Sequence, residues 1–541
     1  MEHKKVYFLQ FFLLYCALAI SASRIYQLSV HPDTAWLTMC AQRLLGGMSL
    51  TDGCYDTNPP LSVLIHIPAV LLNQLTGLQL YNSITVILFV FIVICIFATH
   101  VILTRLSIFN PQDRLIFMIA YTVSIVIDPR YNFSQRDHLI AAALIPFFLV
   151  QYTLTQKTTI PSGVKHLALT LGTAMIMVKP HYGLLPVIML LHRSYVQKRL
   201  PLDLDFLYLF FASLFYGCVI FFFFPDFLTT TLPDIAHYYL PYTDTRNTRL
   251  LLIPYGLWSL LIPAMAFLIG KENTGKKDFF LLCWAAICVA IIAFYVQSKG
   301  FFYQLIPTRT FFYIALSTAF YSVMEPRTKL EGLRTLLSIA ICISLAAYPL
   351  YQFINFSSRY TTHSFFLNAP LTKAIKKECA SPCSFFITLP FQSLNIQTSF
   401  YINEIYASRF PAYWFYPVME YSRGIPVSVA KTQAYQEQIA RDKKRFTRYV
   451  VEDLQRFQPN VLFLYKDPED SEEKFDFFSY FSDDENFRKL AGQYAKTGEF
   501  TAERSDYFHG TSMDYPYTLR WDVYKRVENF APEQQRNENN E

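Results

Sequence analysis

Three carboxylates stand at the edges of apolar runs in this sequence: Asp33 in HPDTAW, Asp56 in CYDTNPPL and Asp137 in SQRDHL. A carboxylate held there can take a proton from an attacking hydroxyl or amine. Cations at similar borders, such as Lys179 in VKPHYG and Lys299 in VQSKGFF, can stabilise negative charge developing on a leaving group. A lone Asp or Lys at a helix end is ordinarily solvated or snorkelling, and Asp52 and Asp226 keep that reading. Asp33, Asp56 and Asp137 rise above it because the stretches that carry such groups gather on one side of a membrane.

The membrane follows from composition. The chain of 541 residues is 53% hydrophobic and 17% aromatic, too apolar for an ordinary soluble enzyme. A bilayer core needs roughly 20 apolar residues per helix. Val6–Ser23, Leu78–Leu103, His138–Gln156, Phe206–Phe224, Leu250–Gly270, Phe279–Ser298, Gln304–Met324 and Thr335–Asn355 supply such runs, with Leu115–Ile127, His166–Val178 and Pro180–Leu191 shorter. Basic residues accumulate in cytoplasmic loops, here Glu2–Lys5, Arg105–Arg114, Lys157–Lys165, His192–Arg199, Lys271–Lys277 and Arg327–Arg334. All fall on one side if Leu61–Leu75 lies along the outer leaflet instead of crossing. The pattern predicts about 11 transmembrane helices, an uncleaved first helix, a cytoplasmic amino terminus and a C-terminal domain outside. The outer side then receives His31–Leu61, Ile127–His138, Val178–Gly183, Pro225–Arg249 and Val296–Gln304. Ala35–Leu45 reads as an amphipathic interfacial helix that holds Asp33 at headgroup level.

The ordered set of an outer loop with an early Asp, YDTNPPL, an Arg-rich inner loop, RDHL opening a helix and VKP before a helix resembles the C-type (GT-C) membrane glycosyltransferases. The nearest pattern is the bacterial protein mannosyltransferase-like and lipid A aminoarabinose transferase-like branch, and the resemblance covers about Met1 to Phe356. It implies a polytopic GT-C-like helical domain at 1–356. It also implies transfer of a sugar from a polyprenyl-phosphate donor to a lipid, glycan or protein acceptor at the outer face of the bacterial inner membrane. By resemblance, Asp33 is the catalytic or acceptor-orienting carboxylate and Asp137 the second acidic position, with Asp56 the next candidate. Tyr55 and Asn58 map onto a substrate-contact element in which Asn58 replaces a usual His or Lys. Thr34 stands where the family has Glu, which weakens a two-carboxylate metal site. No metal ligands are assigned, and a divalent cation (Mg or Mn) is left open as a cofactor. Lys179, His181, Lys299 and Arg309 are the candidate phosphate contacts, with Arg136 and Arg246 behind them.

No Gly-rich phosphate loop, His-Glu-x-x-His or Gly-x-Ser-x-Gly occurs, which favours a lipid-linked donor over a nucleotide sugar. Membrane lipids and an acceptor are the expected partners, and nucleic acid is not. A transporter or flippase of a lipid-linked sugar is the main rival. It should place charges near the middle of its spans and show an internal repeat, and neither is visible. A non-catalytic scaffold on the same fold is the third reading.

From 357 to 530 the chain reads as an extracytoplasmic, periplasmic α/β domain, with strands at Ser384–Pro390, Asn460–Tyr465 and Leu519–Val527 and a helix over Tyr435–Phe457. Residues 531–541 have the composition of a disordered tail. Cys379 and Cys383 in CASPC suit a disulfide better than a metal, and Cys40 with Cys54 forms a second candidate pair.

Overall fold

A computed structural model describes residues 29–200, 204–241, 243–266, 274–324, 362–379, 381–388, 392–467, 474–503 and 518–527. The expected helices Val6–Ser23 and Thr335–Asn355 and the 531–541 tail lie outside the described residues. The chain divides into two compact units. The first comprises 1–34, 58–228 and 243–360, and the second 35–57, 229–242 and 361–541.

The first unit is helical. Its long elements are α2 (Leu80–Leu103), α3 (Pro111–Thr122), α4 (Arg136–Thr155), α5 (Ser162–Val178), α6 (Leu184–Gln197), α7 (Leu204–Phe223), α8 (Thr245–Ala266), α9 (Thr274–Gln297) and α10 (Ile306–Met324); α1 (Pro32–Leu45) begins in this unit and continues into the second. Among the described residues α2, α4 and α9 are each long and apolar enough to cross a membrane. At 1.5 Å per residue the 24 residues of α2 reach about 36 Å, longer than a bilayer core of about 30 Å. Leu61–Thr76 forms shorter apolar helix, ended by Gly77 in a left-handed conformation.

Helix α4 is the centre of the bundle. Its polar first turn and its apolar length are both buried, and it packs on α2, α5, α6 and α10. Small residues set the spacing: a Cβ on Gly172 of α5 would stand 2.4 Å from Phe147 Cβ of α4. Phe279 of α9 collects the rings of Phe109, Phe117, Phe148 and Tyr152, with centroids 5.0–6.2 Å away. At one end of the bundle, Lys276 Nζ lies 3.0 Å from Asp113 of α3, whose carboxylate also accepts the Asn110 N–H in a capping box.

The second unit is built on a five-stranded sheet of order β2-β1-β3-β5-β4. β1 (Ser384–Ile387), β2 (Ile405–Tyr406) and β3 (Val461–Tyr465) run parallel, and β1 and β3 are buried along their whole length, as continuous apolar parallel strands require. β5 (Thr518–Arg526) runs antiparallel to β3 and β4 (Tyr494–Glu503). It alternates, with Leu519, Trp521 and Val523 buried. The edge strand β4 carries exposed charge and a register shift between Lys496 and Gly498, features that blunt an open edge. The long helix α11 (Gln433–Phe457) starts two residues earlier than the periodicity predicts.

Two arginines sew the 35–57 segment into this unit. Arg43 donates to the carbonyls of Gly53 and Ser408 at 2.7 and 2.6 Å and to that of Tyr406. Fully buried Arg409 donates to Asp453 and Glu452, each at 2.8 Å, and to the Thr51 carbonyl at 3.3 Å. Disulfides join Cys40 to Cys54 and Cys379 to Cys383.

Candidate functional site

In the first unit, polar side chains from separate stretches of the chain meet around α4. Its cap is Gln135, whose side-chain oxygen accepts the Asp137 N–H at 2.8 Å. The same side chain turns its Nε2–H toward Asp33, 2.9 Å away, so one amide serves both acids. Arg136 Nη2 stands 3.2 Å from the same Asp33 oxygen. Both acids sit in the first turn of a helix, where the macrodipole favours negative charge.

Local backbone explains why Arg136 is presented here. Helix α3 ends in one π turn, Val123–Ile127, a feature often found at functional sites. Arg130 and Ser134 then adopt left-handed conformations. Buried His138 holds this loop. Its Nδ1 accepts the Ser134 N–H at 3.1 Å, which leaves Nε2 to donate to the Ile125 carbonyl at 2.6 Å. Thr34 Oγ1 adds a bond to the Ser134 carbonyl at 2.8 Å.

Asp137 is fully buried and occupied. Lys179 Nζ lies 2.5 Å from one of its oxygens, and the Tyr182 hydroxyl donates to the other at 3.2 Å. Lys179 also donates to Gln297 Oε1 at 3.0 Å, an oxygen that accepts Gln304 Nε2 at 3.0 Å as well. Two of the three ammonium N–H groups are thus spoken for, and the charge lies 5.9 Å from the centre of the Tyr303 ring. The Tyr303 ring in turn meets His31 edge-on, with centroids 5.8 Å apart, and His31 Nδ1 accepts the Asp33 N–H at 3.2 Å.

Electrostatics separates these groups. Burial pushes the Asp33 carboxyl up, but His31, Arg136, the Gln135 amide and Lys179 outweigh it and hold it below its ordinary value. Asp33 is therefore a carboxylate at neutral pH, with 18% of its side chain exposed. Burial, followed by the Lys179 charge, lowers His181 to about 4 against the opposing pull of Asp137. At neutral pH His181 can bind an anion only through an N–H, not as a cation. Burial also lowers Lys299 to about 8.

The remaining candidates divide. Arg309 is paired with Asp128 at 3.1 Å, and its guanidinium lies 4.5 Å from the Phe302 ring centre. Arg246 is exposed in the first turn of α8, and among the described residues no ion pair or hydrogen bond joins it to Asp33 or Lys179. Asn58 is half-buried. Tyr55 and Asp56 belong to the second unit. There the Tyr55 ring packs among Phe410, Trp414, Phe446 and Tyr449. Its hydroxyl donates to Asp234, which Arg445 also meets at 2.5 Å. Asp56 accepts the Thr57 N–H at 2.5 Å. Asp52 is half-exposed, 3.5 Å from Arg456 and 3.7 Å from Arg409.

Gln135, Gln297, Tyr182 and His138 were not singled out from the sequence. Only Gln135 carried a signal, as the residue before an acidic first turn. Among the described residues no group of three His, Cys, Asp or Glu side chains converges as metal ligands do. Asp33 and Asp137 instead face Arg136 and Lys179, so a divalent cation at either would compete with a cation of the chain itself.

No protein-family model matches this chain, and no curated protein matches it in sequence. Solved structures do match. A cryo-EM structure of the arabinofuranosyltransferase AftD from Mycobacteria aligns at TM-score 0.44 and 12% identity, over 96% of this chain and 40% of that one. The apo crystal structure of ArnT from Cupriavidus metallidurans aligns at TM-score 0.52 and 11% identity, over 96% of this chain and 98% of that one. The crystal structure of the same protein bound to undecaprenyl phosphate aligns at TM-score 0.52 and 12% identity, over 97% and 98%. Over nearly its whole length, the chain resembles in fold the GT-C membrane glycosyltransferase ArnT.

Proposed function

We propose that this protein transfers a sugar from a polyprenyl-phosphate donor to a lipid, glycan or protein acceptor. The observation that carries this reading is the buried cluster in which the Asp33 carboxylate is set beside Arg136 and near the charge of Lys179. The fold adds support, because a structure sharing it holds undecaprenyl phosphate.

In the reaction, the acceptor oxygen or nitrogen attacks the anomeric carbon. The bond from that carbon to the phosphate oxygen breaks, and its electron pair leaves with the phosphate. Asp33 receives the acceptor proton. Its low pKa makes it a weak base, suited to a proton that becomes acidic only as the new bond forms. Lys179, with one N–H to spare, and Arg136 stabilise the charge growing on the phosphate. Asp137 and Gln297 fix the Lys179 ammonium, and Lys299 supplies a further cation from a neighbouring loop.

The proposed topology has about eleven crossings in the bacterial inner membrane, with the amino terminus cytoplasmic and the C-terminal domain periplasmic. The two disulfides support an oxidising compartment for the second unit. The test compares surface glycans by mass spectrometry with and without the protein, then follows donor consumption by the purified protein in detergent. A transferase makes product where there are no compartments, and a flippase does not. Unchanged glycans under conditions of expression, together with no product in detergent, would overturn the proposal.

A further inference from the structure

We infer that Leu240 and the segment Arg423–Lys431 of the second unit form a surface that docks on anionic phospholipid headgroups. The inference rests on reading the chain as a membrane protein and does not depend on the transfer reaction.

Leu240, Val427 and Val429 are 57%, 67% and 46% exposed. Isolated exposed valines are ordinary, but these are brought close. Gly424, in a left-handed conformation, lies so near Pro241 that a Cβ on it would be 2.0 Å from the Pro241 carbonyl oxygen. Helix Tyr416–Tyr421 packs on the turn Ile235–Tyr239 just before that point. Leu240 and Val427 therefore flank one backbone contact.

Chain connectivity limits how far Leu240 can lie from the helix that follows it. Leu240 precedes the first residue of α8, Thr245, by so little chain that at ~3.5 Å per residue it lies within about 17 Å of it. The apolar run Phe206–Phe224 ends shortly before the same segment. An apolar patch on so short a tether to the expected span Leu250–Gly270 is within reach of the headgroup layer.

Charge selects the lipid. Between Tyr421 and Arg448 the sequence has Arg423, Lys431, Arg441, Lys443, Lys444, Arg445 and Arg448 against only Glu437 and Asp442. Asp442 and Arg445 are used internally, with Tyr238 and Asp234. Arg423, Lys431, Arg441, Lys444 and Arg448 are exposed. The pairs Arg441–Glu437 at 3.9 Å and Arg448–Glu452 at 3.7 Å are exposed contacts of little strength. Exposed aliphatic side chains bordered by Arg423 and Lys431 and followed by a helix rich in exposed Lys and Arg are the pattern of a surface seated at anionic headgroups.

The test uses the full chain with Cys16, Cys95, Cys218, Cys283, Cys288 and Cys342 replaced by Ala and both disulfides kept. A fluorophore is attached at Val427→Cys or, as a control, at Val527→Cys, which is also exposed. The protein is reconstituted in phosphatidylcholine vesicles with or without 30% phosphatidylglycerol, plus a headgroup spin-labelled lipid as quencher. The expected result is quenching at 427 several times that at 527, increased by phosphatidylglycerol. It should fall when Arg423→Glu and Lys431→Glu are added, each basic residue near an anionic surface counting for about fivefold in local occupancy. Equal quenching at 427 and 527 would overturn the proposal, as would a 427 signal that depends on protein density and not on lipid, which would assign the patch to a second copy. Size-exclusion profiles matching the parent exclude misfolding as the cause.

Discussion

Replacing Asp33 by Asn removes a charge and a proton acceptor while keeping shape. Gln135 Nε2, 2.9 Å away, can still donate to the Asn oxygen, and Arg136 at 3.2 Å loses an ionic partner but not a hydrogen-bond acceptor. Weakening a hydrogen bond to a charged group costs about 1–3 kcal/mol of stability. Losing a general base costs about 10²–10⁴ in rate, or about 2.7–5.4 kcal/mol in barrier. The rate effect should therefore exceed the stability effect. The assay is transfer to acceptor per folded molecule, with folded protein counted by size exclusion, so the two losses are read separately. Asp52→Asn is the control, since that carboxylate is 44% exposed and its ion pairs are screened; it should stay within about twofold. Asp137→Asn should behave differently from both. It strands the buried Lys179 ammonium, a loss of about 3–5 kcal/mol, so folded yield and activity should fall together. Activity of Asp33→Asn within about twofold of the parent, a change of only ~0.4 kcal/mol, would show that the catalytic centre is elsewhere.

The Lys299 charge is lost as pH rises through about 8, so a reaction that needs it should slow there. Lys299→Arg keeps its charge far above that range and should move the alkaline limb of kcat/KM upward by more than one unit; a limb still at 8 removes Lys299 from the site. Stability moves the other way: the unfolded lysine, near its ordinary 10.5, binds more protons between about pH 8 and 10.5, so this group raises stability with pH across that window. Arg409→Leu removes the guanidinium paired with buried Asp453, leaving that carboxylate the backbone N–H of residue 409, and should destabilise the second unit by about 3–5 kcal/mol, with part of the loss recovered in the double variant that adds Asp453→Leu. A denaturation midpoint unchanged in Arg409→Leu would refute that. Gly172→Leu must push α5 away from Phe147 and should lower thermal stability in detergent by about 1–3 kcal/mol or more; an unchanged melting temperature would mean that the two helices are not so closely packed.

Apolar periodicity made the helices legible because lipid and core both demand long apolar runs. The apolar run Leu78–Leu103 corresponds to helix Leu80–Leu103, and the run His138–Gln156 to helix Arg136–Thr155. The same holds for β1, β3 and β5, whose residues are either continuously apolar or alternating. β2 is only two residues long, and β4 is a charged edge, so neither leaves a hydrophobic pattern to detect. The docking of Ala35–Thr57 and Thr229–Tyr242 into the sheet-bearing unit was also invisible. Arg43 and Arg409 hold Ala35–Thr57 by binding backbone carbonyls, which have no sequence signature, and Thr229–Tyr242 is held by Asp234 and Tyr238, which meet Arg445 and Asp442 from far along the chain.

The site shows the same asymmetry between residue type and partner. Asp33, Arg136, Asp137 and Lys179 were legible as charges at span borders, because a charge there costs energy unless something uses it. What the sequence did not disclose was how they pair. Asp137 could be read as a second working carboxylate, yet Lys179 and Tyr182 claim both of its oxygens, which leaves Asp33 as the carboxylate with exposed surface. That division follows from Gln135 and Gln297. Neutral amides at helix ends attract no notice in a sequence, but each supplies the fixed acceptor or donor that decides where a neighbouring charge points. Gln135 turns one N–H to Asp33 while capping α4, and Gln297 accepts a hydrogen bond from Lys179 at 3.0 Å. In a site of few charges, the uncharged side chains assign the roles.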